Sequence, residues 1–184
     1  MRVLAIGAHP DDIEIACSGT LAKCVKRGDK VIVCHASTGN LGHVIIPPDE
    51  LTEIRKKEAE KAGSLAGIEV IGGMFNDLDI FDNNKAARDK MVEVIKYAQP
   101  DFIITHNPDD YMPDHTAVSR LVFDASFTAT LPNYKCGGEK AAKLVPIYYM
   151  DTLAGVNFNP TEFVDISDEI DLKIKMLECH ESQL

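Results

Sequence analysis

The chain has 184 residues, of which 45% are hydrophobic and 26% are charged, proportions typical of a globular protein with a sizeable core. Its formal net charge of −10 disfavours a nucleic-acid backbone or an anionic membrane surface as a partner. No apolar run is long enough to span a bilayer, and the start "MRVLAIGA" lacks a signal-peptide cleavage site. Five cysteines without a CxxC pair indicate reduced thiols. We therefore expect one domain over residues 1–184 and a cytoplasmic location.

Strand and helix patterns alternate along the chain. Continuous apolar runs predict five buried strands, which are "RVLAIGA", "KVIVCHAS", "IEVIGGMF", "DFIITH" and "VPIYYMDT". Apolar residues at helical spacing predict five helices, which are "SGTLAKCVKRG", "PPDELTEIRKKEAEKAGSLAG", "NKAARDKMVEVIKYAQP", "DHTAVSRLVFDASFTA" and "SDEIDLKIKMLECHESQ". Ser167 is the predicted N-cap of the last helix, and residues 131–144 are predicted to form a loop. The alternation predicts an α/β fold, a single three-layer domain with a mainly parallel, Rossmann-like sheet and helices on both faces.

Two acidic motifs with histidines follow predicted strands. In open parallel sheets, ligands bind beyond the carboxyl ends of the strands. The motif "HPDD" follows the first strand, and "THNPDDYMPDH" begins in the fourth strand and continues past its end. The histidines and carboxylates of these motifs are His9, Asp11, Asp12, His106, Asp109, Asp110, Asp114 and His115. We expect the two motifs to lie at the same edge of the sheet.

These residue types suit a divalent metal ion. Zinc takes nitrogen and oxygen ligands, and a catalytic zinc site leaves one position for water. His9 and Asp12 can bind from one turn, and a histidine of the second motif, either His106 or His115, would complete the set. Asp11 is then free to act as a general base. Alone, the "DD" pair would more often cap a helix N-terminus, and two His with one carboxylate also suit iron(II), which the α/β pattern disfavours.

The chain resembles the PIG-L/LmbE family of zinc-dependent de-N-acetylases. The resemblance runs through "AHPDDIEIACSGTLAK", "LTEIRKKEAEKAGSLAGI", "THNPDDYMPDHTAVS" and "DISDEIDLKIKMLECHESQ" and covers nearly the whole chain. It implies hydrolysis of an N-acetyl amide, on an N-acetylglucosamine-type sugar conjugate, to acetate and a free amine. It implies His9, Asp12 and His115 as ligands of Zn²⁺ or another divalent metal, and Asp11 as the base. The implied partner is a small-molecule amide or amino-sugar conjugate, without nucleic acid or membrane, and the implied state is a homo-oligomer.

One residue departs from the family pattern. The family often has "HPDH" where this chain has "MPDH", so Met112 replaces a histidine that helps to stabilise the oxyanion and pairs with the motif's aspartate. We expect His106 or His35 to substitute, with Asp114 as a second catalytic residue that orients it. Arg55 and His106 are candidate substrate-binding residues, although an exposed helix position is the alternative interpretation of Arg55.

The departure at position 112 leaves a second function open, a catalytically weakened or inactive metal- or sugar-binding member of the same fold. Relatives typically continue some tens of residues beyond an "ESQ"-like stretch, so we also consider a truncated C-terminus.

Overall fold

The computed structural model describes residues 1–138 and 140–184, and in these residues five strands form one sheet. The spatial order is β3-β2-β1-β4-β5, and every neighbouring pair is parallel. The strands are β1 (Arg2–Gly7), β2 (Lys30–Ser37), β3 (Glu69–Phe75), β4 (Phe102–His106) and β5 (Ile147–Met150). The prediction of a parallel α/β sheet is confirmed.

Helices cover both faces of this sheet, as predicted. They are α1 (Asp12–Ala16), α2 (Ser18–Lys26), α3 (Pro48–Ala66), α4 (Lys85–Ala98), α5 (Pro113–Thr128) and α6 (Ile170–Leu177). Side chains alternate between the two faces of a strand. Leu4 and Ile6 of β1 therefore pack with α4 and α5, whereas Val3 and Ala5 pack with the layer of α1, α2, α3 and α6.

The ends of α3 agree with the sequence pattern, but the predicted last helix does not form as one element. Helix α3 begins at Pro48 and is followed by Gly67, whose φ of 69° is the left-handed conformation that ends many helices. Ser167 is not an α-helix N-cap, which corrects the prediction. It begins a 3₁₀ turn, Ser167–Glu169, because its N–H and hydroxyl both donate to the Asp165 carboxylate, at 2.9 and 2.6 Å. A further 3₁₀ turn, Glu181–Gln183, follows α6.

The loop prediction for residues 131–144 holds for the part that the structure describes, which contains neither helix nor strand. Among the helices of the described residues, none combines the length and the apolar character needed to cross a membrane. Because all strands run in parallel, the β1–α1, β2–α3, β3–α4 and β4–α5 connections meet at one edge of the sheet, where the site lies.

Candidate active site and metal site

The turn between β1 and α1 holds Asp11 in an unusual backbone conformation. Asp11 has φ 124° and ψ −25°, a region that costs a non-glycine residue about 1–3 kcal/mol. Asp11 occupies the N-cap position of α1, yet its side chain makes no capping hydrogen bond. The carboxylate of Asp12 instead accepts the N–H of His9 at 2.6 Å. Helix capping therefore does not account for the "DD" pair.

Three of the predicted ligands come together at this turn. His9, Asp12 and His115 each offer one ligand atom, and these atoms lie within 4.8 Å of one another. Asp12 Oδ1 is 3.2 Å from His115 Nε2, and Asp12 Oδ2 is 3.4 Å from His9 Nδ1. His115 Nε2 is buried and has no hydrogen-bond partner, a condition that costs free energy unless something binds it. Two nitrogens and one carboxylate fit a divalent metal such as zinc.

The other ring nitrogen of each histidine faces a carboxylate. Asp110 Oδ2 is 3.0 Å from His115 Nδ1, and Asp114 Oδ2 is 3.1 Å from His9 Nε2. Metal-binding histidines usually donate their second N–H to such a group, which fixes the tautomer and the ring orientation. The histidine that Asp114 contacts is thus His9, and not His106 or His35, the residues that it was predicted to orient. The role of Asp110 was not predicted, because the "DD" of the second motif does not reveal which carboxylate turns inward.

The electrostatics of this cluster favour positive charge. Burial by itself would lower the pKa of His9, but contacts with Asp114 and Asp12 outweigh it and raise the pKa to about 10. Burial by itself would raise the pKa of Asp12, but close contacts with the rings of His106, His115 and His9 outweigh it and hold the pKa well below its usual value. A metal cation would replace the proton that these carboxylates attract.

Arg55 lies beside the predicted base and is not an exposed helix residue. Only 3% of its side chain is exposed, and its Nη2 is 3.1 Å from Asp11 Oδ2. The guanidinium also donates to the carbonyl of Gly39 at 3.1 Å and to that of Pro10. Burial raises the pKa of Asp11 to about 6, although the charge of Arg55 opposes the shift. A carboxylate with a pKa near neutrality suits proton transfer.

The site opens into a cavity of about 310 Å³. His115 lies buried beneath it. The predicted residues on its wall, together with the substituted position, are His9, Asp11, Asp12, Arg55, Met112 and Asp114. Gln183, from the last 3₁₀ turn, also lines the wall and was not predicted as a site residue.

His106 and His35 are not among the residues that line this cavity. His106 is buried, with 3% of its surface exposed, and its ring stacks on that of His115. Its Nε2 accepts a hydrogen bond from the Ala8 N–H at 2.9 Å and lies 3.2 Å from Asp12 Oδ2. Strand alternation turns its side chain behind His9, Asp12 and His115, away from the cavity wall. His35 Nδ1 faces the carbonyl of His9 at 3.1 Å and lines a separate cavity. Neither side chain lies beside Met112 on the cavity wall.

Comparison with known proteins identifies the family of this chain. The profile of the PIG-L family, described as GlcNAc-PI de-N-acetylase, matches residues 4–126. The chain therefore belongs to the PIG-L family.

Individual relatives resemble nearly the whole chain. The diacetylchitobiose deacetylase of Thermococcus kodakarensis is 29% identical over 99% of this chain and 70% of its own length. The 4-oxalmesaconate hydratase of Pseudomonas putida is 27% identical over 98% of this chain and 73% of its own length. The solved structure of the N,N'-diacetylchitobiose deacetylase of Pyrococcus horikoshii matches with a TM-score of 0.86 at 26% identity, over 99% of this chain and 70% of that one. Similar relatives thus include deacetylases and a hydratase.

Proposed function

We propose that this protein is a metal-dependent deacetylase that hydrolyses the N-acetyl amide of an N-acetylglucosamine-type conjugate, with zinc as the metal. The observation that carries the proposal is the convergence of His9, Asp12 and His115 within 4.8 Å, with the carboxylate of Asp11 on the wall of the same cavity. The similarity to two deacetylases of diacetylchitobiose supports the substrate class.

His9, Asp12 and His115 would hold the metal, and Asp110 and Asp114 would keep the two imidazoles in the tautomers that binding requires. When bound, zinc polarises a carbonyl and lowers the pKa of water. The remaining chemistry falls to the side chains of the cavity.

Asp11 would accept a proton from the water that attacks the acetyl carbon. It would then deliver that proton to the nitrogen of the leaving amine as the carbon–nitrogen bond breaks. Burial favours the protonated carboxyl and Arg55 favours the ionised one, so that both forms are accessible near neutral pH. Met112 supplies no hydrogen-bond donor, so Arg55 and Gln183 are the donors, besides His9, among the side chains that line the cavity.

Two alternatives share this site. The catalytically weakened or inactive metal- or sugar-binding member rests on Met112, and addition of water to a carbon–carbon double bond rests on the similarity to the hydratase. A decisive assay measures acetate release from N,N'-diacetylchitobiose by the zinc-loaded protein, with and without a chelator. Chelator-sensitive release that is lost in Asp11→Asn is the expected result. If the protein contains stoichiometric zinc and releases no acetate, the proposal is contradicted. Hydration of 4-oxalmesaconate in place of acetate release favours the second alternative.

A cytoplasmic location and a homo-oligomeric state stay part of the proposal. The five cysteines form no disulfide, which agrees with a reducing compartment. Light scattering of the purified protein tests the oligomeric state, and a monomeric mass would contradict it.

A further inference from the structure

The candidate active-site cavity has an edge of exposed hydrophobic side chains. The exposed fraction is 53% for Leu41, 65% for Leu78 and 44% for Leu153. Together with Ile15, these residues line the mouth of the cavity and are called here the apolar rim. The loop that follows Leu41 carries two further exposed side chains, Val44 at 97% and Ile45 at 83%. Clustered exposed apolar residues beside a polar site indicate a binding surface.

Two residues of the apolar rim are held in place by carboxylates of the site. The Leu41 N–H donates to Asp77 Oδ2 at 2.9 Å, and the Leu78 N–H donates to Asp114 Oδ2 at 2.8 Å. Leu78 has a φ of 61°, a left-handed conformation that is unfavourable for a leucine. The fold thus maintains a strained backbone that presents an apolar side chain at the mouth of the cavity, beside the carboxylate that orients His9.

The charges on the cavity wall disfavour an anionic substrate. With a divalent metal bound, His9 would be a neutral ligand, and the wall would have one cationic side chain, Arg55, and four carboxylates, which belong to Asp11, Asp12, Asp77 and Asp114. A bound divalent metal would add two positive charges, so the loaded cavity would still carry one more negative than positive charge. Arg55 is already paired with Asp11 at 3.1 Å. A phosphate or carboxylate on the substrate would meet net repulsion.

We propose that the substrate is an uncharged N-acetylamino sugar with an apolar substituent, such as an alkyl or aryl aglycone, which lies on the apolar rim. This inference rests on the proposed deacetylase function and narrows its substrate class. The substituent is the occupant that the geometry favours, because the rim is continuous with the wall that holds Asp11 and Asp114.

The test compares kcat/KM of the zinc-loaded protein for three N-acetylglucosamine derivatives. They are the methyl β-glycoside, the octyl β-glycoside below its critical micelle concentration, and the 6-phosphate. We expect kcat/KM for the octyl glycoside to exceed that for the methyl glycoside by about tenfold or more, because burial of two methylene groups alone is worth roughly that factor. We expect kcat/KM for the 6-phosphate to be about tenfold lower than that for the methyl glycoside, because the phosphate would be repelled by the carboxylates of the wall.

Single variants identify the surface that reads the substituent. Leu78→Asn and Leu153→Asn keep the approximate side-chain size, and asparagine tolerates the left-handed backbone at position 78. Each should lower the octyl-to-methyl ratio of kcat/KM by about threefold or more. The matched control is Leu144→Asn, a leucine that is 71% exposed and lines a separate surface depression; it should keep the ratio.

The outcomes separate this inference from the function on which it rests. Equal kcat/KM for the two glycosides, a preference for the 6-phosphate, or an unchanged ratio in both rim variants overturns the inference and leaves the deacetylase intact. If no derivative is hydrolysed, the proposed function fails. The affinities of octyl and methyl glucosaminide, measured by calorimetry, then test the apolar rim alone, and equal affinities overturn the inference. A lower molecular mass of Leu78→Asn, together with an unchanged octyl-to-methyl ratio, would assign the rim to a second copy of the chain and overturn the inference.

Discussion

Asp110→Asn should weaken zinc binding although Asp110 is not a ligand. The Asp110 side chain is fully buried; its Oδ1 accepts the Met112 N–H at 2.9 Å, and its Oδ2 faces His115 Nδ1 at 3.0 Å. In Asp110→Asn, the side-chain amide oxygen should keep the hydrogen bond from the Met112 N–H. The amide NH₂ group then faces His115 Nδ1, and that nitrogen has to accept a hydrogen bond instead of donating one. The proton of the neutral imidazole then moves to Nε2, the atom that faces Asp12 and would bind the metal.

The size of the effect follows from this change of tautomer. Loss of a group that orients a metal ligand typically costs 10–100-fold in metal affinity, which is about 1.4–2.7 kcal/mol. Zinc affinity is measured by competition with a chromogenic chelator, and circular dichroism verifies that the variant is folded. The matched control is Asp109→Asn, since Asp109 is the exposed neighbour whose Oδ1 accepts from the amide of Asn157, at 3.4 Å. Wild-type zinc affinity in Asp110→Asn would refute the reasoning.

Three further predictions concern the ligands and the base. Asp11→Asn should retain stoichiometric zinc and lose roughly 10²–10⁴-fold in kcat, and substantial activity in this variant would exclude Asp11 as the base. Zinc at about 100 times its Kd should raise the thermal unfolding midpoint of the wild-type protein by about 5–10 °C, whereas that of His115→Ala should not rise. An equal rise in the two proteins would argue against His115 as a ligand. Arg55→Gln should lower the free energy of unfolding by roughly 2–4 kcal/mol, somewhat less than for a fully buried ion pair because the Asp11 side chain is 18% exposed. The control is Lys56→Gln, at an exposed position of the same helix. Equal chemical-denaturation curves for Arg55→Gln and the wild type would contradict this estimate.

The sequence predicts the cluster of candidate ligands because two short motifs carry its residues and because parallel strands end at one edge of a sheet. "HPDD" directly follows an apolar run, and the second motif follows another run of the same kind. Carboxyl ends of parallel strands share one edge, so the meeting of His9 and Asp12 with a histidine of the second motif requires no knowledge of loop conformation. From the residues alone, the choice between His106 and His115 stays open, because it depends on where β4 ends. His106 is the last residue of β4 and its side chain turns behind the ligands, whereas His115 lies in the first turn of α5.

Features that depend on backbone conformation escape such reasoning. Leu78 looks like an ordinary core residue in "NDLDIF", yet a hydrogen bond to Asp114 and a left-handed φ leave it 65% exposed at the cavity. Arg55 looks like an exposed residue in "RKK", yet carbonyl oxygens and Asp11 bury it. Ser167 is a residue type that favours the N-cap position, but its N–H and hydroxyl both donate to the carboxylate of Asp165, two residues earlier. In each case a partner distant in space, or a competing neighbour, decides the outcome.

Met112 places no hydrogen-bond donor on the cavity wall, and His9, Asp12 and His115 come together beside it all the same. The contact that ties Met112 to the site uses its backbone N–H, which any residue except proline supplies to Asp110. The aspartate that pairs with the replaced histidine in the family pattern is here engaged elsewhere, because Asp114 Oδ2 lies 3.1 Å from His9 Nε2 and accepts the Leu78 N–H. Asp110 and Asp114, the two carboxylates near Met112 in this motif, both have partners, so methionine at this position leaves neither of them unpaired. Metal binding and stability therefore do not report on what the lost imidazole contributes, and only turnover of an amide substrate separates the deacetylase from an inactive binding protein.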